Sequence, residues 1–451
     1  MNVTIAGASG FIGRNLIKRL TKEFKVRGLS RNLKAAHTER LEWAQCDLFS
    51  LSSTTKALEN TDIAIYLVHS MMPSSRLFQG NFQDTDILLA DNFGRACERA
   101  SVAQIIYVGG LVPSQDTISK HLESRREVED VLKSTLIPVT ALRAGMVVGE
   151  GGASFELLKN LVFNLPFMVL PKWTQSQTQA IYIDDIVEVI YKSLNNTCFY
   201  NKTIDVVNGE SLNYKDLIEL TAKHFNKKRL FLDVPIHSTS FSKLWVTIFG
   251  KTNYELVSPL VDSLMCDLPN SFIDPLIHSS IHYKSYRQML GKVARQTFNR
   301  KKSMVRCLQG RSVRSIQRLP NPHQFKTGEI SQEYINWLPT HMRHLIRAKS
   351  MNDTVNFYAI GLRFPLLKLK RIPEQENIDR VKFHIIGGLL SKTTDTGCLE
   401  FRQIANGKYT LSSVHGFIPA LPWLIYKYTQ APMHAAVMKA FGKFLSRRKA
   451  V

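Results

Sequence analysis

Short apolar runs rich in β-branched residues alternate with amphipathic stretches over the first 150 residues of the chain. The apolar runs, which have the length of strands, lie at residues 3–6, 25–29, 63–67, 105–108 and 139–142. Helical spacing of the apolar positions is found between them, at residues 12–24, 84–100 and 119–134. This alternation predicts an α/β, doubly wound domain, in which helices cover both faces of a parallel sheet.

A second pattern begins beyond residue 350. Its strand-like runs lie at residues 355–362, 381–386, 398–404 and 409–414. Asn406-Gly407 separates two of these runs and is a strong hairpin signal, while Asp395-Thr396-Gly397 marks another turn. Because a helical stretch follows at residues 432–449, the pattern predicts a small C-terminal α+β domain.

The two patterns and the stretch between them divide the chain into three predicted parts. Residues 1–215 form the doubly wound domain, which includes a helical stretch at 181–190 and a further strand at 203–207. Residues 216–349 are predicted to form a basic helical middle segment that completes the substrate side. Residues 350–451 form the α+β domain with a basic terminal helix.

Positive charge is concentrated in the middle of the chain. The chain has 59 Lys+Arg and 37 Asp+Glu, a net charge of +22. Residues 284–349 hold fifteen Lys or Arg against two Glu, whereas residues 1–150 hold eighteen against sixteen. An anionic membrane surface is one partner that this charge suits, since each Lys or Arg near such a surface contributes about 1 kcal/mol.

The last predicted helix supports that interpretation, because Lys439, Lys443 and Arg447 recur on it beside apolar residues. A helix that packs on its own domain is the alternative. Nucleic acid is the less favoured partner, since the basic stretch has few interleaved aromatics and no recognisable nucleic-acid module.

Composition excludes several classes of protein. With 44% hydrophobic and 21% charged residues the chain is not disordered throughout. The six cysteines are scattered without a CxxC pair, which argues against a disulfide framework or a cysteine-rich zinc site. The chain opens with a strand rather than a secretory signal, and no apolar run has the length of a membrane span. We therefore expect a cytoplasmic protein without a metal site, with peripheral attachment to the inner face of the membrane as one interpretation of its charge.

The strongest motif is Gly7-Ala8-Ser9-Gly10-Phe11-Ile12-Gly13, between the first strand and the first helix. Glycines there permit a tight turn, close approach of a pyrophosphate and close packing of helix on strand. The helix N-terminus offers N–H groups and a partial positive charge to the phosphates. The motif predicts a Rossmann-type dinucleotide site, with cofactor contacts from Gly7, Ser9, Gly10, Phe11, Ile12 and Gly13.

The end of the second strand discriminates between NAD and NADP. A carboxylate there holds the ribose 2′-OH of NAD, and an Arg accommodates the 2′-phosphate of NADP. Ser30 and Arg31 occupy this position, so NADP is favoured over NAD, with a solvated loop arginine as the alternative. Asp47, after the third strand, suits the adenine amine or, equally, the capping of a turn.

The GxxGxxG spacing resembles that of the extended and atypical short-chain dehydrogenase/reductases. Four further segments are similar to the bacterial YbjT-like NAD(P)-binding group, which carries a C-terminal domain of unknown function: residues 66–71, 121–125, 142–149 and 164–166. The NmrA-like proteins and the Rossmann-type accessory subunit of respiratory complex I are more distant relatives of that group. The resemblance implies cofactor contacts at Val68, His69 and Arg125.

The sequence departs from the superfamily at the catalytic positions. A Ser and a Tyr-x-x-x-Lys pair are expected, but the fifth strand ends Tyr107-Val108-Gly109-Gly110, and His121-x-x-x-Arg125 occupies the pair's position. His121 can transfer protons near neutral pH, and Arg125 can hold a ribose or an anionic substrate; purely structural roles are the alternative for both. Arg143 is a candidate for binding a substrate carboxylate or phosphate, or for a buried ion pair.

The sequence thus predicts an NAD(P)(H)-binding oxidoreductase acting on a small carbonyl, alcohol or quinone-like substrate. A non-catalytic NADP(H)-binding redox sensor or assembly factor at a membrane or respiratory complex is the alternative.

Overall fold

The computed structural model describes residues 1–32, 37–70, 77–113, 118–235, 261–264, 266–269, 271–278, 281–293, 313–373, 377–392 and 397–448. The chain divides into two compact units. Met1–Met72 and Leu89–Arg300 form the first unit, and Pro73–Leu88 and Lys301–Val451 form the second. The predicted boundaries at 215/216 and 349/350 lie inside these units.

Strands occur throughout both units. In chain order they are β1 (Asn2–Ala6), β2 (Lys25–Ser30), β3 (Leu41–Gln45), β4 (Ile63–Tyr66), β5 (Leu77–Gln79), β6 (Gln104–Gly110), β7 (Val139–Ala144), β8 (Met146–Val148), β9 (Phe167–Pro171), β10 (Gln177–Thr178), β11 (Ala180–Tyr182), β12 (Thr203–Val206), β13 (Leu212–Asn213), β14 (Leu230–Val234), β15 (Val313–Leu319), β16 (Ile346–Met351), β17 (Thr354–Ala359), β18 (Leu367–Arg371), β19 (Arg380–Gly387), β20 (Cys398–Ile404) and β21 (Tyr409–Phe417).

The α-helices lie mainly between the strands of the first unit. Within the described residues they are α1 (Phe11–Leu20), α2 (Leu51–Ala57), α3 (Phe82–Arg99), α4 (Lys120–Lys133), α5 (Ala153–Asn164), α6 (Ile183–Ser193), α7 (Tyr214–His224), α8 (Pro275–His278), α9 (Tyr286–Lys292), α10 (Thr327–His341), α11 (Trp423–Tyr428) and α12 (Gln430–Arg447). None of them is long and apolar enough to cross a membrane.

The first unit is built on a seven-stranded sheet in the order β12-β7-β6-β4-β1-β2-β3. Each neighbouring pair is parallel. The order reverses between β1 and β4, and doubly wound sheets bind their ligands in the crevice at that point. The predicted α/β doubly wound fold is confirmed.

The core of the first unit forms because the central strands are apolar on both faces. All four residues of β4 are buried, and Val3 and Ile5 of β1 are fully buried. Leu16 and Leu20 of α1 pack into the same cluster. Beyond β7 the chain adds three two-stranded sheets, β8 with β11, β9 with β14 and β10 with β13.

The second unit has a mostly antiparallel eight-stranded sheet in the order β16-β17-β18-β19-β20-β21-β15-β5. The predicted hairpin is present between β20 and β21, where Asn406 and Gly407 adopt φ of 54° and 88°. The second predicted turn, at residues 395–397, lies largely outside the described residues. The separate C-terminal α+β fold is confirmed.

Parts of the basic stretch at residues 284–349 belong to this sheet. The basic stretch contains β15, α10 and the start of β16, so the described part of the stretch has strands as well as a helix. Residues 294–312, with six of its fifteen cations, lie outside the described residues.

The terminal helix α12 covers one face of the second sheet. Met438, Phe441 and Leu445 are buried in the core of this unit, whereas Lys439 and Lys443 are exposed. The apolar face of α12 is therefore engaged in its own unit, as in the alternative considered from the sequence.

Candidate active site

The glycine turn after β1 has a geometry that only glycine fits at two positions. Gly7 has φ of +84°, and a Cβ atom there would lie 2.9 Å from the carbonyl oxygen of Leu67. A Cβ on Gly13 would lie 2.5 Å from the carbonyl oxygen of Gly7. The turn is closed by a hydrogen bond of 2.9 Å from the Gly10 N–H to the Gly7 carbonyl. Helix α1 can therefore start directly against the strand end.

The N-terminus of α1 has the properties of a phosphate site. Its N-cap is Gly10, which makes no side-chain cap hydrogen bond, and its first turn has no acidic residue. Arg14 lies one turn into the helix, and its Nη1 donates to the Ser9 carbonyl at 2.8 Å. N–H groups at a helix start, a partial positive charge and a nearby guanidinium all favour a bound phosphate. The turn fits the pyrophosphate of a dinucleotide.

The end of β2 bears polar and cationic groups. Ser30 is half-buried and Arg31 is exposed. Gln45 at the end of β3 donates to the Arg31 carbonyl at 3.2 Å, which fixes the backbone there. Asp47 caps a turn, because its Oδ1 accepts the Phe49 N–H at 3.3 Å. The groups beside the second strand suit a phosphate better than a ribose hydroxyl.

Three of the predicted site residues are joined in a hydrogen-bonded chain after β4. Arg125 of α4 is 7% exposed, and its Nη2 lies 2.5 Å from Nδ1 of His69. Nε2 of His69 lies 3.0 Å from Nδ1 of His121. Arg125 Nη1 also donates to the Val68 carbonyl at 3.3 Å. The backbone of Arg125 is held in turn by the buried hydroxyl of Tyr107, which donates to its carbonyl at 2.9 Å.

This chain selects the tautomer of each imidazole. A guanidinium has only donors, so Nδ1 of His69 must accept and its proton must be on Nε2. That proton is donated to Nδ1 of His121, which leaves the second proton of His121 on its Nε2. In this arrangement His121 is neutral and its remaining proton is on Nε2, because a proton on Nδ1 of His121 would face another donor.

His121 forms part of the wall of an apolar cavity of about 160 Å³ in the first unit. The described cavity wall is mostly aliphatic, with Leu157, Leu158 and Leu161 of α5 among its residues. Burial raises the pKa of Tyr214, which also lines the cavity, to about 12, so its hydroxyl stays protonated. A cavity of this kind excludes water from a small apolar ligand and offers it a few polar groups.

Arg143 of β7 is engaged in an ion pair. Its Nε and Nη2 lie 2.8 and 3.1 Å from the carboxylate oxygens of Glu129. Burial alone would raise the pKa of Glu129, but hydrogen bonds from Arg143 and Lys133 outweigh burial and lower the pKa. This contact is the ion pair considered as an alternative from the sequence, and the substrate contact of Arg143 stays a prediction.

The cavity wall itself was missed from the sequence. Its leucines lie on α5, and Leu264 and Leu268 lie on a segment about a hundred residues later. The apolar spacing within residues 153–164 is a signal for a helix, but it does not distinguish a core face from a cavity face. Ser263 also lines the cavity, and its hydroxyl is 3.1 Å from that of Ser119, the N-cap of α4.

Comparison with known proteins identifies the domain that contains this site. Residues 7–162 match a family model described as NAD(P)H-binding. The chain therefore contains an NAD(P)H-binding domain in the region that holds the glycine turn and the His69–His121–Arg125 chain. This match is consistent with the atypical short-chain dehydrogenase/reductase group that the sequence resembles.

Individual relatives are similar over parts of the chain. Auxiliary protein GraX of Staphylococcus aureus is 29% identical over 120 residues, which is 26% of this chain and 39% of that protein. An undecaprenol-diphosphate-linked N-acetylglucosamine 4-epimerase of Escherichia coli is 24% identical over 258 residues, 52% of this chain and 75% of its own. This chain thus spans about two fifths of the first of these two relatives.

Two solved structures share the fold. A nucleoside-diphosphate-sugar epimerase from Staphylococcus aureus has a TM-score of 0.52 and 15% identity, over 64% of this chain and 99% of its own. A triphenylmethane reductase from Citrobacter sp., solved with NADP(H), has a TM-score of 0.50 and 17% identity, again over 64% and 99%.

Proposed function

We propose that the chain is an NADP(H)-dependent reductase of an apolar carbonyl or quinone-like compound, which binds in the leucine-lined cavity beside His121. The observation that carries this proposal is the position of His121, between the cavity and the hydrogen-bonded chain from Arg125. The NAD(P)H-binding domain would bind the cofactor, and the apolar cavity, with His121 as an oriented hydrogen-bond donor, would bind the substrate.

The cofactor is held by the residues described above. Gly7, Gly10 and Gly13 would hold the pyrophosphate at the start of α1, and Ser30 and Arg31 would hold the 2′-phosphate of NADP. When bound, the dinucleotide supplies a hydride to the substrate, which is chemistry that no side chain can provide.

The chain's own residues polarise the substrate. Nε2–H of His121 donates a hydrogen bond to the substrate oxygen and stabilises the negative charge that develops there during reduction. A neutral imidazole suffices for this role. The product oxygen takes its proton from solvent water after hydride transfer, when the cavity opens to release the product. The aliphatic wall strengthens the hydrogen bond by excluding water while the reaction proceeds.

The test is oxidation of NADPH by a panel of benzoquinones, naphthoquinones and aldehydes. His121→Ala should lower kcat by about 100-fold or more, as loss of an oxyanion donor does, with the Kd for NADPH almost unchanged. His278→Ala, at an exposed position on α8, is the matched control and should leave kcat unaltered.

Turnover that is absent, or indifferent to His121, would contradict the reductase. A protein that binds NADPH without oxidising it would then fit the other prediction from the sequence, a redox sensor or assembly factor. The lack of a Ser at the end of β6, where Gly109 and Gly110 lie, is what favours that second candidate.

A further inference from the structure

One end of the second sheet combines exposed apolar side chains with positive charge. Four segments lie there: residues 343–347, 360–368, 388–392 and 418–428. Three backbone hydrogen bonds of 3.0 to 3.1 Å join them. The Ile360 N–H donates to the Leu345 carbonyl, the Leu389 N–H to the Pro365 carbonyl, and the Ala420 N–H to the Leu390 carbonyl. The four segments therefore form one continuous surface, which we call the basic apolar end.

Large apolar side chains on this surface are exposed to an unusual degree. They are Phe364 (71%), Leu424 (69%), Tyr428 (69%), Leu345 (58%), Ile360 (53%), Ile425 (50%), Leu362 (48%) and Leu389 (47%). Leu424, Ile425 and Tyr428 lie on the short helix α11, which Tyr426 anchors to the core from its buried face. A large exposed apolar patch on a folded unit marks a surface for a membrane or a partner.

The same segments carry positive charge and no carboxylate among their residues. Their exposed cations are Arg343, Arg347, Arg363, Lys368, Lys392 and Lys427. The opposite end of the sheet has exposed apolar residues too, Met351 and Ile378, but Asp353 and Asp379 lie beside them. Among the residues of the four described segments, positive charge is therefore not offset by a carboxylate; Asp395, in the loop after residues 388–392, lies outside the described residues.

We propose that the basic apolar end docks on the surface of an anionic bilayer. Each of the four segments combines at least one exposed cation with at least one exposed apolar side chain. Apolar groups enter the boundary between headgroups and acyl chains, while Lys and Arg remain at the anionic headgroups. The core of a protein interface is, by contrast, depleted of lysine. The charge complementarity favours a bilayer over a protein partner or a second copy.

This surface differs from the one expected from the sequence. The sequence pattern indicated the terminal helix, but α12 uses its apolar face in its own core. The apolar contacts of the basic apolar end come from α11 and three loops instead.

Sedimentation of the full chain with vesicles tests the proposal. The chain should bind vesicles of phosphatidylcholine mixed with phosphatidylglycerol and should bind vesicles of phosphatidylcholine alone at least about tenfold more weakly. The variant Phe364→Ser/Leu424→Ser/Ile425→Ser should weaken binding to the mixed vesicles by about tenfold or more. Met351→Ser/Ile378→Ser, at the opposite end of the sheet, should bind as the wild type does.

Charge reversal gives a second, independent pair of variants. Arg363→Glu/Lys392→Glu/Lys427→Glu should weaken binding by about tenfold or more, since three cations leave the surface. A matched variant makes the same change in net charge on the exposed face of α12: Lys439→Glu/Lys443→Glu/Arg447→Glu. It should retain binding within about threefold, because α12 does not contact the bilayer in this arrangement.

Three results would overturn the proposal. The first is a wild type that binds neither kind of vesicle. The second is equal weakening by both charge-reversal variants, which would mean that net charge alone attracts the chain. The third is self-association in sedimentation velocity that the Ser triple variant abolishes, which would make the surface a contact between copies. Both charge-reversal variants alter exposed side chains only, so they report on binding even if the Ser variant unfolds.

Discussion

At the scale of single residues, the side chain of His69 determines what His121 can do. It accepts from Arg125 and donates to His121, and both contacts are within hydrogen-bond distance. We predict that His69→Gln retains kcat for NADPH oxidation within about threefold, because an amide also offers one acceptor and one donor. His69→Leu should lower kcat by about tenfold or more and change its pH profile, since His121 can then protonate at Nδ1. Equal activity of the two variants would remove His69 from the mechanism.

Arg143 provides a second test at this scale. Arg143→Ala should destabilise the protein by about 1.5–3 kcal/mol, because the buried Glu129 loses the two hydrogen bonds from the guanidinium and keeps Lys133 as its cationic partner. Adding Glu129→Gln should recover part of that loss. Urea unfolding measures both variants. A variant that keeps its stability but raises the KM for substrate would instead support the substrate contact predicted from the sequence.

At the scale of elements, the junction of β1 and α1 is the most constrained part of the chain. Gly13→Ala places a Cβ 2.5 Å from the Gly7 carbonyl, so the helix start must shift away from the strand. We predict that the Kd for NADPH rises by about tenfold or more, and that the protein loses about 1–3 kcal/mol of stability. Gly291→Ala on α9 is the control, since its Cβ meets no atom within 4 Å. That change should be neutral or stabilise by up to about 1 kcal/mol.

The elements that the sequence predicts well are those whose signals are local. β1, α1 and the glycine turn lie within twenty residues, and the alternation of β4, β6 and β7 with α3 and α4 is visible in the apolar pattern. β5 and β15 are different, because each is short or basic. Their pairing with each other spans more than two hundred residues, and β15 also pairs with β21, about a hundred residues later. His69 and His121 were both candidates, but their contact spans 52 residues and follows only from the sheet order.

At the scale of the whole molecule, buried charge makes stability depend on pH. Glu400 is 2% exposed and is paired with Arg380 at 2.8 Å and Arg402 at 2.5 Å. Burial alone would raise the pKa of Glu400, but the two guanidinium groups lower it well below its ordinary range. A depressed pKa means that the pair stabilises the fold above the unfolded-state pKa near about 4.3, and that this stability is lost as the pH falls below it.

The variant Glu400→Gln tests this pH dependence. The wild type should exceed it in unfolding free energy by about 3 kcal/mol at pH 7. The difference in unfolding free energy should be smaller by about 1.4 kcal/mol at pH 3.3. That pH is one unit below the unfolded-state pKa of Glu400, so protonation stabilises the unfolded wild type by this amount. A difference that is constant between the two pH values would show that the carboxylate is not held in its charged form.

The two units differ in how their positive charges are arranged to bind anions. In the proposed function the first unit holds phosphates through a helix start and one or two arginines, and residues 1–150 are nearly neutral. Much of the net charge of +22 lies further along the chain, and part of it lines the basic apolar end of the second sheet. An oxidoreductase whose substrate is apolar and quinone-like would gain from such a surface, because substrates of that kind partition into membranes.

The most direct test of the account is a fluorescence titration of the full chain with NADPH and NADH. We expect saturable binding of NADPH, at least about tenfold tighter than that of NADH, because Arg31 would add charge-assisted hydrogen bonds to the 2′-phosphate. Arg31→Ala should abolish that preference, whereas Arg287→Ala, at an exposed position on α9, should preserve it. Binding of neither nucleotide would contradict the account, and equal binding of both would contradict the choice of NADP.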